Sequence, residues 1–125
     1  MTVSIHLPEG ANHIEATYSG RLTREELETS VRRGIAAAQT SGRRRFLTDC
    51  RELGGGHSVT DLYLLANELQ SCGMASEFRE ALLLPDNPET AGLVTFWETA
   101  CANRGLVVRV FTDPIRALDW LRSVP

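Results

Sequence analysis

Lysine is absent from this 125-residue chain, so all 13 of its basic Lys/Arg positions are arginine. A phosphate-gripping P-loop needs Gly-Lys-[Ser/Thr] at a helix start, and nucleotide hydrolysis by that route is therefore excluded. Asp and Glu together number 16, leaving a formal charge of −3 with no general attraction to nucleic acid. Cysteine is scarce: Cys50, Cys72 and Cys101 form an odd set without C-x-x-C spacing, which predicts reduced, buried thiols rather than a disulfide framework. His6, His13 and His57 lack H-x-x-x-H spacing or a cysteine partner at zinc spacing, so neither a metal site nor a cofactor is expected. No apolar run reaches the roughly 18–20 residues of a membrane span. The opening MTVSIHLPEG has no charged head and apolar body of a signal peptide, so a cytoplasmic location is expected.

What is present is an ordinary globular balance, 42% hydrophobic and 23% charged residues, at a length that suits a single domain over residues 1–125. Val3, Ile5 and Leu7 alternate with polar residues, Pro8-Glu9-Gly10 turns the chain, and Ile14–Tyr18 resumes the alternation, predicting an antiparallel hairpin. Thr23 with Glu26 is a capping box opening a helix over about 24–39, with Leu27, Val31, Ile35 and Ala38 as its stripe and Ser41-Gly42 at its close. Arg43–Cys50 is the next strand, and the Arg43, Arg44, Arg45 run before it is expected as a solvated edge rather than an anion site.

Gly54, Gly55 and Gly56 then lead into a helix capped by Ser58, Thr60 or Asp61, with Leu62, Leu65, Ala66, Leu69 and Cys72 on one face and Tyr63 and Leu64 off it. FREALLL, residues 78–84, suits a strand covered on both faces. Asn87-Pro88 opens a helix carrying Leu93, Phe96, Trp97, Ala100 and Cys101. LVVRVF, residues 106–111, is the last strand, and Asp113-Pro114 starts a closing helix with Ile115, Leu118 and Leu121 on its apolar face. The order β-β-α-β-α-β-α-β-α predicts an α/β fold: an open, mainly parallel sheet of about five strands, an antiparallel first edge strand, about four helices on its faces and right-handed crossovers.

Gly20-Arg21-Leu22-Thr23, Phe46-Leu47-Thr48-Asp49 and Val110-Phe111-Thr112-Asp113 followed by Ala117-Leu118-Asp119-Trp120-Leu121 resemble the bacterial SpoIIAA-like family, related to STAS and SEC14 domains. The resemblance covers nearly the whole chain and implies a SpoIIAA-like fold. Anti-sigma-factor antagonists of that kind carry a phosphorylatable serine in a D-S-[ST]-G setting at a helix start. Here the equivalent stretch is Gly56-His57-Ser58-Val59-Thr60-Asp61: Ser58 matches in place, and the Asp-Ser-Ser-Gly run is missing.

The glycine run is expected as a flexible connection, with a weak anion or lipid-headgroup site and a protein-contact loop as its alternatives. Asp49, Cys50 and His57 gather near the carboxyl end of a strand, where open α/β sheets place ligands, and a Cys50–His57 pair could form a thiolate nucleophile. Trp97 and Trp120 are expected in the core, or lining an apolar pocket. The leading expectation is a non-enzymatic regulatory or protein-interaction module. It presents Asp49, Arg51, Gly54, Gly55, Gly56, His57, Ser58, Asp61, Tyr63 and Leu64 to a protein partner, while a homodimer would form through the exposed first edge strand or an apolar helix face. The runner-up is a small carrier of an apolar or lipid-like ligand held between helices and sheet. The third is an enzyme using Asp49, Cys50 or His57.

Overall fold

In the computed structural model, which describes residues 2–74 and 77–123, five strands and four helices follow the expected order. They are β1 (Thr2–His6), β2 (His13–Gly20), α1 (Arg24–Ser41), β3 (Arg45–Leu53), α2 (Val59–Ser71), β4 (Arg79–Leu83), α3 (Pro88–Ala102), β5 (Val107–Phe111) and α4 (Pro114–Arg122). The sheet runs β1-β2-β3-β4-β5, with β1 antiparallel to β2 and every other pair parallel.

Strands laid down in chain order by right-handed crossovers all advance in one direction, which places α1, α2 and α3 on one face. The main core accordingly joins Leu27 and Ala38 of α1, Leu62, Leu65, Ala66 and Leu69 of α2, and Val94, Trp97 and Cys101 of α3 to Ile14, Phe46, Cys50, Leu82 and Val108 of the sheet. Among the described residues only α4 covers the other face, where Ala117 and Leu121 meet Ala81 and Leu83, with Leu47, Phe111 and Trp120 around them. Because the parallel strand order never reverses, there is no switch-point crevice of the kind that holds ligands in doubly wound sheets.

The helix ends follow local chemistry. Thr23 and Glu26 form the reciprocal capping box, Asn87 caps α3 ahead of Pro88, and Asp113 caps α4 ahead of Pro114. Gly42 ends α1 in the left-handed conformation. At 13 residues α2 is marginal by itself in water, and it stands because burying each of Leu62, Leu65 and Leu69 contributes about 1.5–3 kcal/mol.

Several side chains depart from their expected places. Strand β3 continues to Leu53 instead of ending at Cys50, because its register against β2 shifts between Thr17 and Ser19. Phe46, Thr48 and Cys50 are buried in alternation, and the irregularity changes the phase so that Leu53 turns inward as well. Cys72 lies past the end of α2 and is exposed, while Cys50 and Cys101 are buried. Ile115 is 72% exposed, so the buried residues of α4 are Ala117 and Leu121.

The three arginines that lead into and open β3 are not a solvated edge. The Arg43 guanidinium donates to the carbonyls of Pro8 (3.0 Å) and His13 (2.9 Å), Arg44 to Ala38 (2.8 Å) and Arg45 to Leu121 (2.6 Å). Arg43 and Arg45 tie the start of the strand to carbonyls far away in sequence, and Arg44 ties it to the end of α1, where the Ala38 carbonyl also accepts the Gly42 N–H.

Candidate functional site

The carboxyl ends of β2, β3 and β4 deliver three turns to one edge of the sheet. There the glycine loop is stitched to the β2–α1 turn, which corrects its reading as a flexible connection. Gly54 N–H donates to Gly20 O (2.8 Å), Leu22 N–H to Gly55 O (2.8 Å), and the Arg21 guanidinium to Gly54 O (3.2 Å). Gly56 has φ +100°, and a Cβ there would stand 2.5 Å from the Leu22 carbonyl oxygen, so only glycine fits.

Ser58 is the N-cap of α2. Its hydroxyl accepts from Asp61 N–H (3.2 Å), while the Asp61 carboxylate accepts from Ser58 N–H (2.9 Å). Residues 54–58 and Asp61, together with Arg21, Asn87, Glu89 and Thr90, line an open polar cleft of about 400 Å³. The α3 contribution, Asn87 to Thr90, was not foreseen as part of this site, because only the parallel pairing of β3 with β4 brings the two helix starts side by side. Beside the cleft, α2 leaves Val59, Tyr63 and Leu64 exposed, at 48%, 49% and 43%. Tyr63 stacks under the Arg104 guanidinium, 4.4 Å from the ring centre.

Asp49 and Cys50 point away from each other, whereas Cys50 and His57 both face a cavity beneath the cleft. Neighbours on a strand face opposite ways, and Asp49 spends its carboxylate on Arg51 (2.9–3.0 Å), which holds its pKa below the usual range chiefly through that hydrogen bond. Cys50 points into the main core, where burial pushes its thiol up, aided by Glu80 and Asp49, the opposite of what a thiolate nucleophile needs. Burial also lowers the His57 pKa.

A second site lies beneath the first. Between α1, α2, α3 and the sheet is a cavity of about 100 Å³, mostly apolar, with Tyr18, Thr48, Cys50 and Glu80 on its floor and Val31, Leu62 and Trp97 among its walls. Its volume suits a few heavy atoms, well below the roughly 300–1,000 Å³ of a drug-sized or lipid pocket. Trp97 belongs to it; Trp120 sits on the opposite face against Phe111, with the Arg79 guanidinium 4.2 Å from its ring centre.

Glu80 is the residue that sequence reasoning missed here. Its carboxylate accepts from the Thr48 hydroxyl (2.6 Å) and the Trp97 indole N–H (2.9 Å), and desolvation raises its pKa against the pull of those two donors. The signal was available: a Glu directly before the apolar run Ala81, Leu82 and Leu83 of a strand covered on both faces, where glutamate is almost never placed unless paired. His57 and Leu93 line both the cavity and the outer cleft, so the two spaces share a wall at these side chains.

An open five-stranded sheet in sequential order, with three helices on one face and one on the other, gives a small α/β domain with a SpoIIAA-like fold. Among solved structures, the chain is similar to an uncharacterized DUF3478-family protein with a SpoIIAA-like fold from Shewanella loihica PV-4. Identity is 24%, coverage 96% of this chain and 92% of that one, and the TM-score 0.58. It is also similar to the anti-sigma factor antagonist SpoIIAA in its unphosphorylated form, at 16% identity, 98% and 100% coverage and a TM-score of 0.62. At these identities the likeness is one of fold. No protein-family model matches the chain, and no curated protein does. Among the described residues, no helix is long and apolar enough to cross a membrane, and no cluster of three or more His, Cys, Asp or Glu could hold a metal ion.

Proposed function

We propose that this chain is a non-catalytic regulatory module that binds a protein through the glycine-loop edge of its sheet, with Val59, Tyr63 and Leu64 as the apolar centre and Arg51, His57, Ser58 and Asp61 as the polar rim. The exposure of those three large side chains on α2, directly after a rigidly tied loop, carries the reading. A preformed surface of this kind, aromatic at its centre and polar around it, has the anatomy of a binding patch. Similarity of fold to an anti-sigma factor antagonist points the same way, and the burial that raises the Cys50 pKa disfavours the thiolate that a Cys50–His57 nucleophile would need.

Ser58 is the position at which a phosphoryl group would change this surface most. Nearly two added negative charges at the cap would repel Asp61, whose carboxylate now accepts from Ser58 N–H, and would open the capping box while reversing the local charge balance.

The test is a photo-crosslinking residue at Leu64, compared with one at exposed Asp119 on α4, in the protein's own cells. A discrete protein adduct from position 64, absent from position 119 and suppressed by Tyr63→Ala, is the expected outcome. An adduct of the size of two chains identifies self-association. No adduct at 64, or equal labelling at both positions, overturns the proposal.

A further inference from the structure

We propose that the cavity above the sheet is a binding site for a compact organic ammonium ion, whose N–H groups are received by Glu80 and whose short hydrocarbon part fills the apolar remainder. This goes beyond the partner surface and does not depend on it.

Glu80 carries the argument. An ionised carboxylate offers about four acceptor positions, and among the described residues only Thr48 and Trp97 donate to Glu80, which leaves two positions unused on a side chain that lines the cavity. Among the described residues no arginine or histidine forms an ion pair with Glu80, and the chain has no lysine to supply one. Inward-facing carboxylates are ordinarily matched by a cation, because an uncompensated buried charge is strongly unfavourable. The fold therefore holds a carboxyl group without a counter-charge, and a bound cation would stabilise the ionised form that burial disfavours.

The surroundings suit an organic cation better than a bare ion. Tyr18, Phe46, Phe78 and Trp97 bring aromatic rings to the same cavity, and such rings attract an alkylammonium through their π faces. A dry apolar cavity of about 150 Å³ holds benzene, with six heavy atoms, so about 100 Å³ takes about four. His57 and Leu93, shared with the outer cleft, mark the way in.

Propylammonium and its uncharged isostere 1-propanol are the probes, titrated into 15N-labelled protein at neutral pH. The readout is the Trp97 indole N–H resonance, which reports on the donor bonded to Glu80 itself. Propylammonium is expected to move that resonance in a saturable way and to bind at least about tenfold more tightly than 1-propanol, the size of effect that one charge-assisted hydrogen bond supplies. Glu80→Gln keeps shape and both hydrogen bonds, since the Thr48 hydroxyl can accept from the amide, and should erase the preference for the cation. Val31→Phe fills the cavity from α1 and should abolish binding of both probes without involving Glu80. Equal binding of the two probes, an unmoved Trp97 resonance, or an undiminished response in Val31→Phe each overturns the proposal; the first would mean a neutral, hydrated cavity.

Discussion

Replacing Gly56 with alanine tests whether the loop at the sheet edge is as rigid as its hydrogen bonds require. The residue sits at φ +100°, where a side chain adds about 1–3 kcal/mol of backbone strain. The new methyl would stand 2.5, 2.8 and 3.0 Å from the oxygen, nitrogen and carbonyl carbon of Leu22, all backbone atoms that cannot rotate aside. Relief requires the loop and the β2–α1 turn to part, which breaks the 2.8 Å bond from Leu22 N–H to Gly55 O and removes about another 1 kcal/mol. The sum is about 2–4 kcal/mol. Gly42→Ala is the control: φ there is +78°, but nothing lies within 4 Å of the added methyl, so only the left-handed strain of about 1–2 kcal/mol applies. For a chain of this size 1 kcal/mol moves the melting midpoint by roughly 4 °C. Thermal unfolding followed by circular dichroism should then show a fall of about 8–16 °C for Gly56→Ala against about 4–8 °C for Gly42→Ala. Equal falls would mean that the loop gives way freely, and the preformed surface proposed for partner binding would lose its basis.

Three further outcomes follow from the same geometry. Glu80 has a raised pKa in the folded chain, so its contribution to stability is complete below the ordinary carboxyl value of about 4.3 and is lost as pH rises through the folded value. Glu80→Gln should flatten the pH dependence of urea unfolding between pH 4 and 8, where burial keeps Tyr18 and Cys50 protonated, and parallel curves would contradict the assignment. Arg43→Ala should lower stability by about 1–2 kcal/mol, for the charged donor lost to Pro8 and His13, while leaving affinity for inorganic phosphate unchanged; a reduced phosphate affinity would restore the anion-site reading. Iodoacetamide followed by mass spectrometry should modify Cys72 alone in the native protein and all three cysteines after denaturation, and rapid native labelling of Cys50 would contradict its raised pKa.

Features written in neighbouring residues were legible before any fold was known. The Thr23–Glu26 box, Asn87-Pro88 and Asp113-Pro114 each satisfy donors within a few residues of themselves, so spacing is enough to read them. Alternation and helical periodicity likewise yield the order of elements, and Tyr63 and Leu64 stand off the stripe of α2 because the stripe itself is local. The glycine run was visible, but its rigidity was not: the groups that hold it, on Gly20, Arg21 and Leu22, lie more than thirty residues earlier.

Of this protein, the sequence alone determined the alternating strands and helices, their caps and the exclusion of P-loop chemistry, because each depends on periodicity, on residues in contact along the chain, or on a residue type missing altogether. The tertiary structure decided which letters meet. It set three helices on one face of the sheet, drew the starts of α2 and α3 to one edge, and turned Arg43 and Arg45 into ties to distant carbonyls. It also separated Asp49 from Cys50 across the sheet and brought Glu80, Thr48 and Trp97 together around a cavity. These are contacts between residues from different strands and helices, and their geometry comes into being only when the sheet is assembled.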